Sequence, residues 1–451
     1  MLVLVLVVRL DAFFALVLTS FAVGLLEGMD APSVLQSILR GIGGTMGSVA
    51  LILVFGAMLG KLIDESGAAH AITYRLTDRF GRRHVQYAMA LTGLLVGLPM
   101  LYNAGFLLLI PLVYTVSVTT GLPLVYLGVP LAAALSVAHG FLPPHPAPTF
   151  VSFAYGAAVD RTLLAGLVAA VPACLLGGVL LARTLPAREA APPPGLYAPR
   201  DVDRAALPGF ATCVATILVP VLLMLVGAVV DVVAGTAAID PSRGEAGAYR
   251  AALAGAVPDP ALRAVVVAAK FFGNANVALL VAVLVALWTL GIRRGRTMDD
   301  LMKSLGAAVG GIGMILLVIA AGGAFSQVLR DGGVGEYIAR RATGVRFNPL
   351  LLAFGIASLL RLAVGSATVA GMTTAGVLAP TVAASGVRPE LMVLATGAGS
   401  LMFSHFNDTG FWMFKEYFGL SIKSTFLTWS VMEGVVALVG LGTAMVLQAV
   451  G

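Results

Sequence analysis

A few ionisable side chains interrupt the long apolar segments of this 451-residue chain. His405 and Asp408 lie in one cluster at residues 405–410, and Glu433 lies alone in the last apolar segment. Ionisable groups inside a membrane are functional candidates by default, and His and Asp side chains can carry protons near neutral pH when their surroundings favour it. We therefore predict that His405, Asp408 and Glu433 are proton-coupling sites. The alternatives are a helix-end anchor for the cluster and a solvated surface position for Glu433.

Two apolar blocks, one in each half of the chain, contain Gly, Pro and small polar residues that break helices. The first runs from Gly97 to Gly105, and the second from Arg361 to Thr374. Irregular backbone at membrane depth survives only where it faces protein or water, and the broken ends present N–H groups and a positive dipole end to an anion. The paired breaks therefore predict a substrate site. Taken singly, either break would favour close helix packing.

The predicted substrate-binding residues come from these breaks and from the neighbouring histidine clusters: Asn103, Gly105, His139, Arg361, Gly365, Ser366, Ala367, Thr368, Thr373, Thr374 and Asn407. Arg361 is a cation within an apolar block. It either pairs with a substrate carboxylate or extends to the membrane interface.

Internal repetition organises the elements that carry these residues. Four landmarks recur in the same order about 267 positions apart: Gly pairs at 43–44 and 310–311, Gly-Ala…Asp patterns at 56–64 and 323–331, Arg-rich stretches at 68–83 and 334–346, and histidine clusters at 135–139 and 401–405. We predict two homologous transmembrane halves, residues 1–184 and 210–451, joined by a cytoplasmic Pro-rich linker at 185–209. Such repeats, often inverted, are the architecture of secondary transporters.

The composition predicts an all-α, polytopic membrane protein. Hydrophobic residues make up 59% of the chain and charged residues 11%, whereas soluble domains carry about a quarter charged residues. No Asp, Glu, Lys or Arg occurs from His84 to Val159. Because each crossing needs about 20 apolar residues, we expect about 10–12 membrane segments. Among them are Met46–Leu62, Leu262–Leu290 and a broken block from Leu350 to Val382.

Basic residues cluster in two loops that two crossings separate, at 183–204 and 293–303. By the positive-inside rule these loops are cytoplasmic. The net charge of +6 therefore indicates Arg and Lys side chains in short loops beside the lipid, and it does not indicate nucleic-acid binding. The sequence contains no ATP-binding loop, no nucleophile motif and no metal-ligand spacing, so we expect no cofactor, no metal and no enzyme activity.

Four stretches of the chain carry a resemblance to a known family, at residues 43–61, 130–146, 365–370 and 403–420. The most specific are Gly365-Ser366-Ala367-Thr368-Val369-Ala370 and Lys415-Glu416-Tyr417-Phe418-Gly419-Leu420. At these residues the chain resembles the gluconate permease (GntP) family of proton-coupled sugar-acid symporters.

This resemblance implies a bacterial inner-membrane permease that takes up gluconate or a related hydroxy acid with protons. It also implies kinship with ion transporters in which a substrate domain moves through the membrane like an elevator. Two positions depart from the family's pattern. Asn103 stands where relatives usually carry an acidic residue, and Val364 stands where they commonly carry Gln or a similar polar residue.

The expected partners are a small anionic sugar acid, protons and membrane lipid, with a second copy of the chain as the candidate protein partner. The alternatives within transport are another small carboxylate such as glycerate, a D-serine-like amino acid or a dicarboxylate. An intramembrane enzyme or a passive channel would be the alternatives from other classes.

Overall fold

The computed structural model describes residues 3–4, 7–185, 190, 204–236, 239, 246–333, 348–382 and 385–450, and throughout these residues the regular structure is helical. Residues 186–189 and 191–203 of the predicted linker lie outside the described residues, as does the whole of the second Arg-rich stretch. The helices of the first half are α1 (Ala12–Leu26), α2 (Ala31–Glu65), α3 (Ala68–Gly97), α4 (Tyr102–Thr120), α5 (Leu124–Phe141), α6 (Pro146–Tyr155) and α7 (Val159–Thr184).

The helices of the second half are α8 (Phe210–Val233), α9 (Ala246–Ala256), α10 (Pro260–Gly273), α11 (Ala275–Arg294), α12 (Met298–Gly311), α13 (Gly313–Asp331), α14 (Pro349–Val364), α15 (Ala367–Val382), α16 (Pro389–Leu401), α17 (Thr409–Tyr417) and α18 (Ile422–Val450). Eight described segments are long and apolar enough to cross a membrane, with α5 and α6 taken together as one. An all-α, multi-pass architecture is therefore confirmed.

The estimate of 10–12 crossings exceeds these eight because several apolar helices are short. Both α14 and α15 have 16 residues, which at 1.5 Å per residue reach about 24 Å. The hydrocarbon core is about 30 Å thick. Because α14 and α15 follow each other directly and pack together, they form a helical hairpin, and its re-entry into the membrane remains a prediction. The break predicted at Gly365 is the tip of this hairpin.

Two helix predictions had the wrong bounds. The predicted Met46–Leu62 segment is part of α2, which begins at Ala31 because the Asp30 side chain accepts a 2.8 Å hydrogen bond from the Ser33 N–H. The predicted Leu262–Leu290 segment is two helices, since Asn274 ends α10 and caps α11 through the Asn276 N–H. In both cases a polar cap residue decided the boundary.

The Arg-rich stretch at 68–83 is the first part of α3. Gly81 adopts φ 61°, ψ 179°, and His84 is also non-helical, so the helix bends between an amphipathic part and an apolar part. Arg204 pairs with Asp78 at 3.4 Å, and its guanidinium lies over the Tyr74 ring. These contacts fasten the amphipathic part beside the end of the Pro-rich segment.

Helices α2 and α13 pack against each other in opposite directions. Near the start of α2, Ser37 and Arg40 contact Asp331 at the end of α13, with distances of 2.6 and 3.2 Å. At the other end of α2, Glu65 accepts a 2.7 Å hydrogen bond from Ser304 in α12. Because α2 matches α12–α13 in the predicted repeat, this antiparallel packing is the arrangement that inverted repeats require. The homology of the halves remains a prediction.

The closest approach of α2 and α13 depends on glycine. A Cβ atom added to Gly323 would collide with the Thr45 hydroxyl and the Gly41 carbonyl. Its counterpart in the predicted repeat, Gly56, has no atom within 4 Å of the same position. Two glycines in matching positions therefore have opposite surroundings.

We expect Gly323→Ala to destabilise the protein by about 1–3 kcal/mol, because overpacking a close helix crossing forces the backbones apart. The matched control Gly56→Ala should be neutral, or stabilising by up to about 1 kcal/mol through helix propensity. Chemical unfolding of the purified variants in detergent measures both effects. Equal stabilisation by the two substitutions would contradict the crossing.

Candidate functional site

Four helices begin around one central cavity of about 390 Å³. They are α4, α6, α15 and α17, and each follows a break in the chain. The first residues of all four contribute to the cavity wall. Since a helix N-terminus carries free N–H groups and about half a positive charge, four converging starts make the cavity favourable for an anion.

Most of the predicted substrate-binding residues lie on the wall of this cavity, together with two of the three predicted proton sites: Asn103, His139, Arg361, Gly365, Ser366, Ala367, Thr368, Asn407, Asp408 and Glu433. Val364, the second position that departs from the family pattern, also lies on this wall.

Four predicted residues lie elsewhere. Gly105 faces Leu135 in the packing between α4 and α5, and Thr373 and Thr374 are buried inside α15. The Thr374 hydroxyl donates to the Ala370 carbonyl at 2.8 Å, so it is used within its own helix. His405 is half-buried and packs against the Phe406 ring at 4.7 Å.

Arg361 is 3% exposed, so its side chain is buried within the protein. Its guanidinium donates to the Asp408 carboxylate and to the Gly365 carbonyl. The same carboxylate accepts from the Ser404 hydroxyl and, at 2.9 Å, from the Gly410 N–H at the start of α17. This ion pair joins the tip of the α14–α15 hairpin to the break between α16 and α17.

The hairpin tip approaches that break so closely that only glycine fits at its turn. Gly365 has φ 79°, a left-handed conformation that favours glycine. A Cβ atom there would also collide with the backbone of Asn407. The Asn407 side chain in turn donates to the Leu362 carbonyl at 2.8 Å, which satisfies a group freed at the end of α14.

Glu433 is 1% exposed and lies on the cavity wall with one oxygen engaged. The Ser136 hydroxyl donates to Oε1, and Oε2 has no hydrogen-bond partner among the described residues. A buried carboxylate without a cation in contact is costly in its charged form. The site therefore favours a proton or a ligand donor at Oε2.

Tyr102 is a cavity residue that the sequence interpretation missed. It is 8% exposed, and its hydroxyl also lacks a partner within the described part of the chain. Its ring packs edge-on against Trp429 at 5.5 Å, and Trp429 donates to the Ser404 hydroxyl at 2.9 Å. The available signal was its place beside Asn103 in the first break.

Two neighbouring histidines belong to the first half of the chain, and of these His139 lies on the wall of the central cavity. His139 lies 3.4 Å from the Thr368 hydroxyl through Nε2, and its Nδ1 is without a partner among the described residues. His145 lies at 2.7 Å from the Gly97 carbonyl, which is the last of α3. Within the described ranges, no group of three His, Cys, Asp or Glu side chains could hold a metal ion.

The chain matches known proteins over its whole length. A family model described as "GntP family permease" matches residues 1–450. The chain is 44% identical over 450 residues to the Gnt-II system L-idonate transporter of Escherichia coli K12, covering 100% of this chain and 97% of that protein. It is 43% identical to a high-affinity gluconate transporter of the same organism, covering 98% and 95%.

A gluconate permease of Bacillus subtilis strain 168 is 40% identical, covering 100% of this chain and 97% of the permease. Two solved structures share the fold at low identity. The Alcanivorax borkumensis YdaH transporter aligns with a TM-score of 0.61 and 17% identity, over 97% of this chain and 98% of its own. Neisseria gonorrhoeae MtrF aligns with a TM-score of 0.63 and 14% identity, over 97% and 94%.

We expect either Asp408→Asn or Arg361→Gln alone to destabilise the protein by about 3–5 kcal/mol, because each leaves one buried charge without its partner. Asn still caps a helix well, so loss of the α17 cap does not explain the effect at Asp408. The double variant should recover part of the loss, with a coupling energy of about 0.5–3 kcal/mol in unfolding measurements. Strictly additive losses would contradict a direct pair.

Proposed function

This chain belongs to the GntP family of permeases and is a multi-pass protein of the bacterial inner membrane, and from that premise we propose that it imports a sugar acid such as gluconate together with protons. The relatives named above are described as gluconate and L-idonate transporters. Both compounds are six-carbon polyhydroxy monocarboxylates. The central cavity of about 390 Å³ falls in the range of about 300–1,000 Å³ that small-molecule pockets occupy.

The observation that carries the proposal is the convergence of four helix starts on this cavity. Asp408 already supplies an anion to the start of α17, whereas no side chain among the described residues caps the start of α4. At the start of α15, the Ser366 hydroxyl accepts from the Val369 N–H at 3.3 Å. The N–H groups of Ala367 and Thr368 therefore remain for a ligand, since the first turn of a helix has no internal acceptors. We place the substrate carboxylate there, with α4 opposite.

Arg361 contributes indirectly to anion binding. Asp408 neutralises it, so the pair adds little net charge to the cavity. The carboxylate is then held by backbone dipoles and hydroxyls, and the role of Arg361 is to keep the Gly365 carbonyl and the hairpin tip in place.

A proton that travels with the substrate makes the crossing electrically neutral. Each uncompensated charge would cost about 2.3 kcal/mol per 100 mV of membrane potential. Of the three predicted proton sites, Glu433 fits best. Asp408 is held by Arg361, Ser404 and the start of α17, and His405 lies off the cavity wall. Glu433 accepts a hydrogen bond from the Ser136 hydroxyl through one carboxylate oxygen, and its other oxygen has no partner among the described residues.

A related small carboxylate is the second candidate substrate. Asn103 and Val364 both lie on the cavity wall, and both differ from the residues that are usual at these positions in the GntP family. Altered side chains at two wall positions favour a substrate that differs from gluconate in its hydroxyl pattern or length. A counterflow assay in proteoliposomes with gluconate, L-idonate, glycerate, serine and succinate separates these candidates, and recovery of chemically unchanged substrate excludes an enzyme. Absence of counterflow by every sugar acid tested would refute the proposed function.

We expect Glu433→Gln to abolish pH-gradient-driven accumulation and to retain counterflow, because a permanently neutral side chain can bind substrate but cannot release a proton. His405→Gln provides the comparison and should keep accumulation. The measurement is uptake of labelled substrate with and without an imposed pH gradient. Loss of accumulation in His405→Gln alone would transfer the proton role to that residue, and wild-type uptake that ignores the gradient would remove proton coupling altogether.

We expect Tyr102→Phe to raise the KM for a six-carbon sugar acid about tenfold, since a buried donor that pairs only with substrate contributes about 1.5 kcal/mol when it is lost. Tyr155→Phe is the matched control. Tyr155 is also a buried tyrosine, but its hydroxyl lies 3.0 Å from Thr396 and off the cavity wall. Equal effects of both substitutions on KM would mean that Tyr102 acts only through folding.

A further inference from the structure

A second cavity, of about 300 Å³, adjoins the central one. Its wall is formed by α2, by the starts of α4 and α6, and by the α12–α13 junction. Leu101, Ala104, Pro146 and Ile315 line both cavities. These four residues, which we call the neck, therefore separate the two spaces by the thickness of one residue, and the proposed function makes no use of the second space.

The far end of the second cavity points to one membrane surface. Lys61 and Asp64 lie on its wall near the end of α2. The next residue, Glu65, pairs with Arg296 at 2.8 Å. Arg296 belongs to the basic loop at 293–303, on the side that the positive-inside rule assigns to the cytoplasm. The cavity thus extends from the neck towards the cytoplasmic side.

The predicted repeat explains why a space exists here. Gly41 and Gly323 are in close contact where α2 crosses α13. Their counterparts about 267 positions away are Ala308 and Gly56, and these two line opposite walls of the second cavity. One crossing of the two-fold arrangement is closed, and the matching crossing is open.

The aspartates of the repeated motif show the same asymmetry. On the closed side, Asp331 accepts hydrogen bonds from Ser37, Arg40 and Gln327 at 2.6, 3.2 and 2.9 Å. Its counterpart Asp64 lies on the wall of the second cavity. Equivalent residues therefore close the molecule at one membrane surface and border a polar opening at the other.

We propose that the second cavity is a cytoplasmic vestibule through which the substrate leaves the central cavity, and that the Lys61 ammonium contacts its carboxylate on the way. The ligand class is a polyhydroxy monocarboxylate, so the identity of the ligand depends on the proposed function, whereas the sidedness of the vestibule does not. Lys61 is the cationic side chain on the vestibule wall among the described residues. Its side chain is 35% exposed, and it pairs with Glu65 at 3.1 Å.

Cysteine accessibility tests the route. Cys174 and Cys213 are buried free thiols, and replacing both with Ala provides the background. Single cysteines at Ala57 and Ala308 report on the vestibule, and one at Ala104 reports on the neck. Gln36→Cys and Arg293→Cys, both at exposed positions, mark the outer and cytoplasmic surfaces. A membrane-impermeant maleimide is applied to right-side-out and inside-out vesicles.

If the vestibule is cytoplasmic, the maleimide should modify Ala57→Cys, Ala308→Cys and Ala104→Cys in inside-out vesicles, as it modifies Arg293→Cys. Saturating gluconate should slow the modification of Ala104→Cys. Reaction from the outer surface, or no reaction from either, overturns the proposal. A chain that gives this pattern without any sugar-acid counterflow keeps the vestibule and loses the proposed function. Normal sugar-acid counterflow together with cysteine modification from the outer surface keeps the proposed function and refutes the vestibule.

Substitutions at Lys61 test its contact with the anion. Lys61→Gln should slow the efflux of gluconate from loaded inside-out vesicles on the order of tenfold, because charge steering changes association rates by about 10–10³. Lys61→Arg keeps the positive charge, and its efflux rate should stay within about twofold of the wild type. Glu65→Gln removes the ion pairs with Lys61 and Arg296 and keeps both cations, so it should resemble the wild type. If Glu65→Gln slows efflux as much as Lys61→Gln, the ion pair matters and the contact with substrate is refuted.

Discussion

The ion pair between Arg361 and Asp408 holds the site together, because it joins two irregular backbone segments at membrane depth. Such segments survive only where every freed polar group is satisfied. Arg361 donates to the Gly365 carbonyl at the hairpin tip, and Asp408 accepts from the start of α17. Ser404 and Trp429 extend the same network to α18. These contacts position the starts of α15 and α17 beside the central cavity.

This arrangement also determines how an anion can be held. An unpaired arginine in the cavity would bind a carboxylate strongly and release it slowly. When the arginine is neutralised by Asp408, helix dipoles and hydroxyls bind the carboxylate instead. A transporter must release its substrate, so moderate binding suits it. The remaining carboxyl group, Glu433, then has no cation in contact, and its charge state depends on a proton or a ligand.

The predicted two-fold organisation of the chain is accompanied by local asymmetry. The antiparallel packing of α2 against α12–α13 gives each crossing a counterpart. Yet Gly323 is tightly packed, and Gly56 has open space around it. An alternating-access protein built from inverted repeats needs such inequality in any one state, since equal halves would leave both sides open or both closed.

The amino-acid sequence by itself determined that the protein lies in a membrane and that its regular structure is helical. It also determined where the helices break and which residues form most of the cavity wall. Apolar runs, Gly-Pro breaks and polar residues beside them are local signals, and Asn103 and the segment Gly365–Thr368 could be identified from them. Helix bounds such as Ala31 and Asn274 were missed because a single polar cap outweighed hydrophobic periodicity. Only the tertiary structure decided which residues pair. Arg361 and Asp408 are 47 positions apart, and Ser136 and Glu433 are 297 apart. Those contacts, the exposure of Tyr102 to the cavity and the second cavity depend on how helices cross, which no local pattern encodes.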